Sequence, residues 1–400
     1  MKNLLYWSNK VRRFYKGSDL SRVQSVAEMA ALARHRLPDF AWEYLAGGTE
    51  NEQTLHSNES DFGKIRLTSH TLVANHPPVL VTPLVGASSA LPMMIGPSGF
   101  NGMLWPQADL ALAKAANEKK IPFCLSTVSN ASMEQVREAA QDLDFWFQLY
   151  GLKNAQLNDD LLARAKAVDV NTLVITSDAS VVGNREWDRR NFAKPRQLTW
   201  RNKANVLMHP NWIRRVMMPN GLPTMGNLNP YLPTNEQSAL GAMKFIQEQL
   251  DTLLDWEKVA KIRDQWHGKL ILKGVLQPND ARQALKLGFD GIVVSNHGGR
   301  QLDGALSSID ALPAIVDAVG EEIDILLDSG IRRGNDIIKA KALGAQGVML
   351  GRATLFGVAA GGQVGVTRVL DILLEELARS LNLMGVQRLD ELTSEHLYLP

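Results

Sequence analysis

The sequence predicts an α/β chain folded as a (β/α)8 TIM barrel, with an N-terminal helical segment, a long β4-α4 loop insertion and a C-terminal capping helix. Three observations carry that prediction. From residue 92 onward, short apolar runs alternate with amphipathic stretches, the pattern of consecutive βα units around a parallel sheet. Eight such runs occur between residues 92 and 360, and a closed barrel typically uses about eight strands and about 250 residues. Polar residues then cluster directly behind the apolar runs, at the strand ends where such barrels carry their active sites.

Residues 1–91 read as the helical segment that packs on the barrel. Its start, "MKNLLYWSNKVRRFYKG", has an apolar stretch too short for a secretory signal and no small-residue cleavage site. "SVAEMAALARHRLPDFAWEYLAGG" follows as helices ending at a Gly pair. The barrel spans 92–390, and its strand cores are "PMMIGP", "PFCLS", "DFWFQLY", "TLVITSD", "KLILKGV", "GIVVSN", "DILLDSG" and "GVMLGR". Helical stretches such as "ADLALAKAANEKK", "SMEQVREAAQ", "NDARQALKLG" and "GNDIIKAKALG" lie between them, several closed by a Gly suited to a left-handed cap. The enlarged connection, about residues 179–256, is rich in Pro, Asn and Gly and shows little periodicity. Loops of that length are functional or disordered. "GVTRVLDILLEELARSLNLMG" then reads as the long amphipathic capping helix.

Composition narrows the function classes. Hydrophobic residues at 45% and charged ones at 21% suit a globular chain able to bury a core. A net charge of +1 supplies no global field for nucleic acid. The single cysteine, Cys124 in "IPFCLS", reads as a small core residue, fits a reducing compartment and excludes an intramolecular disulfide. No run reaches the roughly 18 to 20 apolar residues of a membrane span.

Taking the strand ends in turn collects Ser126, Gln148, Tyr150, Thr176 and Asp178, with Arg185 a little beyond, then Lys273, His297 and Arg300. The seventh strand ends in "DSGIRRG" and the eighth in "LGRA", placing Gly330, Arg332, Gly351 and Arg352 where barrels often bind phosphate. Lys273, emerging from an apolar strand, would set a cation beside an electron-rich cofactor ring. In "VVSNHGGRQLDG", His297 stands between a strand and two glycines. An Asp accepting from one ring nitrogen would fix the tautomer and raise the basicity of the other, and Asp178 is the residue for that role. Arg185 and Arg300 suit a carboxylate, because a planar guanidinium matches its two oxygens. A base and two arginines imply an acid substrate with an abstractable proton. Metal binding is disfavoured, since the 8 histidines show no helical HxxxH pair and no second cysteine exists. No GxGxxG follows the first strand, so a Rossmann dinucleotide site is also disfavoured.

These residues resemble the FMN-dependent L-2-hydroxyacid dehydrogenase and oxidase family over about residues 22–390. The specific match is "SNHGGRQLDG", joined by "YLAGGTENEQTL", "STVSNAS", "WFQLY", "VGNREWDRRN", "ILKGV" and "LDSGIRRGNDIIKAKALGA". The resemblance implies FMN as cofactor and oxidation of an L-2-hydroxyacid to the 2-oxoacid. It makes His297 the base and Asp178 its partner, with Arg185 and Arg300 on the substrate carboxylate and Tyr44 and Tyr150 hydrogen-bonding the substrate. It sets Pro97, Ser98, Gly99, Ser126, Gln148, Thr176, Lys273 and Ser295 against the flavin ring or ribityl chain. It also sets Asp328, Gly330, Arg332, Gly351 and Arg352 against the ribityl and phosphate groups. A homotetramer is common in such proteins. The segments split between the mandelate and bacterial L-lactate branches, which leaves the acid open. Gly99 resembles the dehydrogenases that react poorly with oxygen. Ser177, Ser180 and Gly151 depart from the family pattern without touching a named catalytic position.

Reduced FMN needs an electron acceptor, and a quinone or another carrier is expected. Between Trp187 and Asn220 the insertion carries Arg189, Arg190, Lys194, Arg196, Arg201, Lys203, Arg214 and Arg215 against Asp188, with Trp200 and Trp212 interleaved. An anionic membrane surface attracts basic segments by about 1 kcal/mol per residue, with Trp at headgroup level. The expectation is a peripheral protein on the cytoplasmic side of the inner membrane. Nucleic acid is not an expected partner, because no groove-reading motif is present. The segment also reads as a solvated lid over the substrate. Two further readings are a soluble oxidase releasing hydrogen peroxide and a catalytically silent flavin-binding protein.

Overall fold

Eight parallel strands close on one another in the computed structural model, which describes residues 13–74, 76–194, 197–218, 221 and 224–399. They are β1 (Met93–Ile95), β2 (Phe123–Ser126), β3 (Phe145–Tyr150), β4 (Thr172–Thr176), β5 (Lys269–Val275), β6 (Gly291–Val294), β7 (Asp324–Leu327) and β8 (Gly347–Leu350). Each pairs with its sequence neighbour, and β8 returns to β1 with Val348 opposite Met93. The readings of the first twelve residues and of Arg196 lie outside the described residues.

Alternation along each strand decides what fills the barrel. One side chain from every strand points inward: Met94, Cys124, Trp146, Val174, Ile271, Val293, Leu326 and Met349 form a separate buried cluster. Cys124 is therefore a packing residue, and burial pushes its thiol well above the usual range. Leu84 and Val85, at the turn of a hairpin formed by Thr82–Leu84 and Ala87–Ser89, join the same cluster. They pack beside Gly347 and Gly291, the first residues of β8 and β6, so the hairpin plugs the amino-terminal end of the barrel. The strand register lines up the opposite rim. Ser126 stands opposite Gln148, Tyr150 opposite Thr176, and Thr176 opposite Lys273.

The N-terminal segment contributes helices Val26–Arg36, Asp39–Ala46 and Gln53–Ser60. Ser25 caps the first, accepting from the Glu28 N–H. Pro38 cannot continue a helix, so the chain turns and the Asp39–Ala46 helix starts afresh, carrying Tyr44 to the rim. Strand Arg66–Leu67 pairs antiparallel with Leu397–Tyr398, which ties this segment to the end of the chain.

The capping helix emerges as part of one long element, Arg352–Met384, that begins directly behind β8 and bends at Gly361 and Gly362. By length and composition it is apolar enough to cross a membrane, although Gln363, Arg368 and Asp371 break its apolar runs well short of a span. It packs against the Val26–Arg36 and Ala108–Lys119 helices, and 61% of its most apolar window is buried within the protein, as expected of a core helix. The insertion is more regular than its weak periodicity implied. Helices Trp200–Leu207 and Ala239–Gln249 form in it, capped by Thr199 and Ser238, with the Pro, Asn and Gly breakers falling between them.

Candidate active site

A cavity of about 1610 Å³ opens at the carboxyl ends of the strands, and nearly every residue singled out from the sequence reaches it. His297 lines it. Its ring Nδ1 lies 2.8 Å from Asp178 Oδ1, which leaves Nε2 as the nitrogen available to a substrate. Asp178 itself sits behind the ring, off the cavity wall. Burial raises the Asp178 carboxyl, but the charges of His297 and Lys273 and the bond from His297 outweigh it and hold the group below its ordinary value. The close approach depends on Gly274, where φ is +107° and a Cβ would fall 2.7 Å from the Asp178 side chain.

His297 has φ of +58°, a conformation that side chains adopt at a cost and that clusters at functional sites. Gly298 and Gly299 continue the turn at +67° and +70°. Neither has room for a side chain: a Cβ on Gly298 would fall 2.6 Å from Arg352 Nη1, and one on Gly299 would fall 2.5 Å from Leu55 N. Reciprocal amide bonds between Asn296 and Asn58, at 2.8 and 2.7 Å, pin the turn to the Gln53–Ser60 helix. This is why two glycines follow the histidine.

The cavity also holds donors suited to a flavin. Gln148 accepts from Ser126 Oγ at 2.9 Å and from the Thr127 N–H at 3.2 Å, which fixes its amide so that Nε2 is the donor end. That buried Nε2 has no hydrogen-bond partner among the described residues, although Gln148 lines the cavity. A buried unpaired donor is costly and points to a ligand that satisfies it. Lys273 Nζ donates to Ser295 Oγ at 2.9 Å and pairs with Asp328 Oδ2 at 2.9 Å. Burial lowers the Lys273 ammonium, but Asp328 and Asp178 more than reverse this, so it stays charged beside the cavity. Thr176, Pro97, Ser98 and Gly99 also line it. Ser295 does not. It lies behind, accepting from Lys273 and from the His297 N–H at 3.0 Å, and so orients both.

Gly330, Arg332, Gly351 and Arg352 line the cavity as well. Arg352 donates to the carbonyls of Gly298, Gly47 and Leu45, at 2.8, 2.9 and 3.2 Å, and Arg332 pairs with Glu59 at 2.7 Å. Both arginines therefore also hold the N-terminal segment against the barrel. Burial draws the Arg352 guanidinium well below its usual range, and the nearby charges of Arg300 and Arg332 add to the effect, a surplus of positive charge that a phosphate would offset.

Arg300 donates to the carbonyls of Tyr44 and Gly47, at 2.8 and 3.0 Å, and burial followed by repulsion from Arg185 lowers it to about 10. Arg185 and Arg300 lie 5.6 and 5.1 Å from the centre of the Tyr44 ring. The Tyr44 hydroxyl donates to Gly99 O at 3.1 Å, so the N-terminal helix is fastened to the loop after β1. Tyr150 ends β3, and burial together with Asp178 pushes its phenol up to about 12. Asp188 escaped the sequence reading. It lines the cavity 3.9 Å from Arg185, and burial raises its carboxyl against the pull of Arg185 and Arg300. The signal was the spacing of three residues from Arg185 on one helical turn. Trp212, expected among surface aromatics, is buried: its indole N–H donates to Met103 O at 2.8 Å and its ring meets Phe40 edge-on.

A cavity lined by a histidine, two neighbouring arginines, a buried lysine and an unpaired amide donor suits a flavin beside an organic acid. The chain belongs to the FMN-dependent dehydrogenase family, whose sequence pattern matches residues 33–399. It is 40% identical over 377 residues to an L-lactate dehydrogenase of Pseudomonas syringae pv. syringae (strain B728a), covering 92% of this chain and 97% of that protein. It is 39% identical to an L-lactate dehydrogenase of Yersinia pestis (strain Pestoides F), covering 94% and 98%. Among solved structures it resembles the monotopic membrane protein (S)-mandelate dehydrogenase, with TM-score 0.90, 37% identity and coverage of 95% and 100%. A mandelate oxidase bound to (S)-4-hydroxymandelic acid gives TM-score 0.79 at 31% identity, covering 94% and 98%. The protein is an FMN-dependent 2-hydroxyacid oxidoreductase.

Proposed function

We propose that this chain oxidises an L-2-hydroxyacid of the lactate or mandelate class to the 2-oxoacid and passes the electrons to a membrane quinone. The observation that carries this reading is His297, backed by Asp178, in the same cavity as Arg185, Arg300 and Tyr150. FMN, when bound, supplies a two-electron acceptor. Gln148, Lys273, Ser126 and Thr176 would hold its ring, while Arg332, Arg352 and Gly351 would hold its phosphate. Arg185 and Arg300 bind the carboxylate and fix the acid's orientation. Tyr150, kept protonated by its raised pKa, donates to the substrate. His297 Nε2 takes a proton from the substrate, Asp178 stabilises the resulting imidazolium, and the two electrons of the breaking Cα–H bond would be taken up by the bound FMN. The buried walls exclude water from the reacting atoms.

The acceptor side rests on the insertion surface. Trp200, Leu207, Met208 and Met218 are exposed, and Lys203 Nζ lies 4.3 Å from the centre of the Trp200 ring, with Arg201 and Arg214 close in sequence. Basic residues among exposed apolar ones suit an anionic bilayer surface. The likeness to a monotopic mandelate dehydrogenase supports the same reading. Steady-state turnover tests it: 2-oxoacid should form with a quinone analogue under nitrogen, and oxygen uptake with the acid should be slow. Rapid oxygen uptake with stoichiometric hydrogen peroxide would make the protein an oxidase instead.

A further inference from the structure

A further cleft lies outside the active site, where the N-terminal segment meets the insertion. It has a volume of about 750 Å³, and its wall is drawn from the chain at 13–16, from the Val26–Arg36 helix and from Asn205 and His209 of the insertion. Arg13, Lys16, Arg34, His35 and His209 line it, and among the described residues Asp39 is the acid set against them. A net charge of +1 for the whole chain does not produce such a concentration of basic groups by composition alone.

Hydrogen bonds show how little of that charge is already used. Asp39 Oδ1 pairs with Arg34 at 2.7 Å, so the acid is committed. The Asp39 N–H donates to Asn205 Oδ1 at 2.8 Å, which joins the insertion to the N-terminal helices and leaves Nδ2 as the free end of the Asn205 amide. His209 Nδ1 donates to Asn205 O at 2.8 Å and is fixed beside it. The side chains of Arg13, Lys16 and His35 have no hydrogen-bond or ion-pair partner among the described residues. Charged donors without a counter-ion are what a phosphoryl group satisfies.

Two features set that phosphoryl group on a lipid. Leu207 and Met208, which stand between Asn205 and His209 in sequence, are exposed, and so is Phe14 in the cleft wall. An anionic head in the cleft would therefore have apolar surface beside it for its chains. The sequence that leads into the cleft has the same character: Lys2, Lys10, Arg12, Arg13 and Lys16 all precede the first acid, Asp19, with Leu4, Leu5, Tyr6 and Trp7 among them.

We propose, resting on the membrane reading given above, that this cleft binds the phosphate headgroup of an anionic phospholipid, one lipid to each chain. The N-terminal segment then makes a membrane contact of its own, separate from the exposed residues of the insertion.

The test titrates the FMN-loaded protein with dihexanoyl phosphatidate below its micelle-forming concentration, beside inorganic phosphate and dihexanoyl phosphatidylcholine. One-to-one binding of the phosphatidate is expected, with the other two much weaker. Arg13→Gln combined with Lys16→Gln should weaken it about fivefold for each charge, or about 25-fold together, while flavin reduction by the acid is unchanged. The same loss of charge on the Pro278–Lys286 helix, outside the cleft, through Arg282→Gln with Lys286→Gln, should leave binding as it is. Inorganic phosphate binding as tightly as phosphatidate, no binding of phosphatidate, or equal effects of the two double variants would overturn the proposal. Vesicle pelleting separates that failure from failure of the reading beneath it. A protein that pellets with anionic vesicles but does not bind the short-chain lipid loses only the cleft, whereas one that pellets with no vesicle loses the membrane reading and the proposal together.

Discussion

Chemistry in this site is divided among residues whose environments differ although they lie within a few ångströms of one another. Asp178 is held below its ordinary value against burial because His297 and Lys273 face it, and in the proposed reaction that charge would stabilise a protonated His297. Replacing His297 with Ala should slow flavin reduction by at least the roughly 10² to 10⁴ that acid–base help supplies, without loss of bound FMN. Stopped-flow reduction and the flavin spectrum of the purified variant check this. Asp178→Asn removes the negative charge 2.8 Å from His297 Nδ1, so kcat/KM should fall while bound FMN is retained, as steady-state kinetics and the flavin spectrum would show. An unchanged kcat/KM would separate Asp178 from the base. Lys273 is held charged by Asp328 and Asp178, so Lys273→Met should make the flavin midpoint potential more negative in protein that retains FMN. These residues were legible in the sequence because they follow apolar runs, and a strand end in a barrel is a fixed place. Asp188 was not legible, since an acid within a basic segment reads as a surface residue until folding buries it beside Arg185. The division of labour at Ser295, which orients Lys273 and His297 without reaching the cavity, likewise needs coordinates.

At the scale of elements, the turn after β6 does most to join the two parts of the chain. Gly299 and Gly304 both have positive φ, at +70° and +75°, but a Cβ meets Leu55 N at 2.5 Å in the first and nothing within 4 Å in the second. Gly304→Ala should therefore cost only the left-handed conformation, about 1 to 2 kcal/mol. Gly299→Ala should cost clearly more and loosen the N-terminal helices from the rim. Urea midpoints of the two variants check this; equal losses would mean that the contact with the Gln53–Ser60 helix is unimportant. The eight strands and most helices could be read from periodicity, because burial on both faces makes parallel strands near-continuous apolar runs. The hairpin that plugs the barrel could not: Thr82–Leu84 and Ala87–Ser89 are too short for a pattern, and their pairing is set by the barrel end that they fill. The helices of the insertion were hidden in the same way, each being too short to outweigh the breakers on either side.

For the whole molecule, the site and the insertion surface belong to one design, in which the same segment walls the cavity and exposes Trp200, Met208 and Met218. The protein should pellet with vesicles of anionic lipid, less so as salt is raised, because exposed charges are screened over about 8 Å at physiological ionic strength. A variant lacking the exposed apolar and basic residues of 200–218 should remain in the supernatant. If that variant pellets as well as the parent, the insertion is not the membrane contact. The central claim is that the His297 turn, the two arginines and the flavin-facing wall form a single oxidising centre for L-2-hydroxyacids. Anaerobic mixing of the purified flavoprotein with the L- and D-forms of one acid, following the flavin absorbance, tests it most directly. The account predicts rapid bleaching by the L-form alone, reversed by a quinone analogue and only slowly by air; absence of bleaching by any 2-hydroxyacid in protein that carries FMN would contradict it.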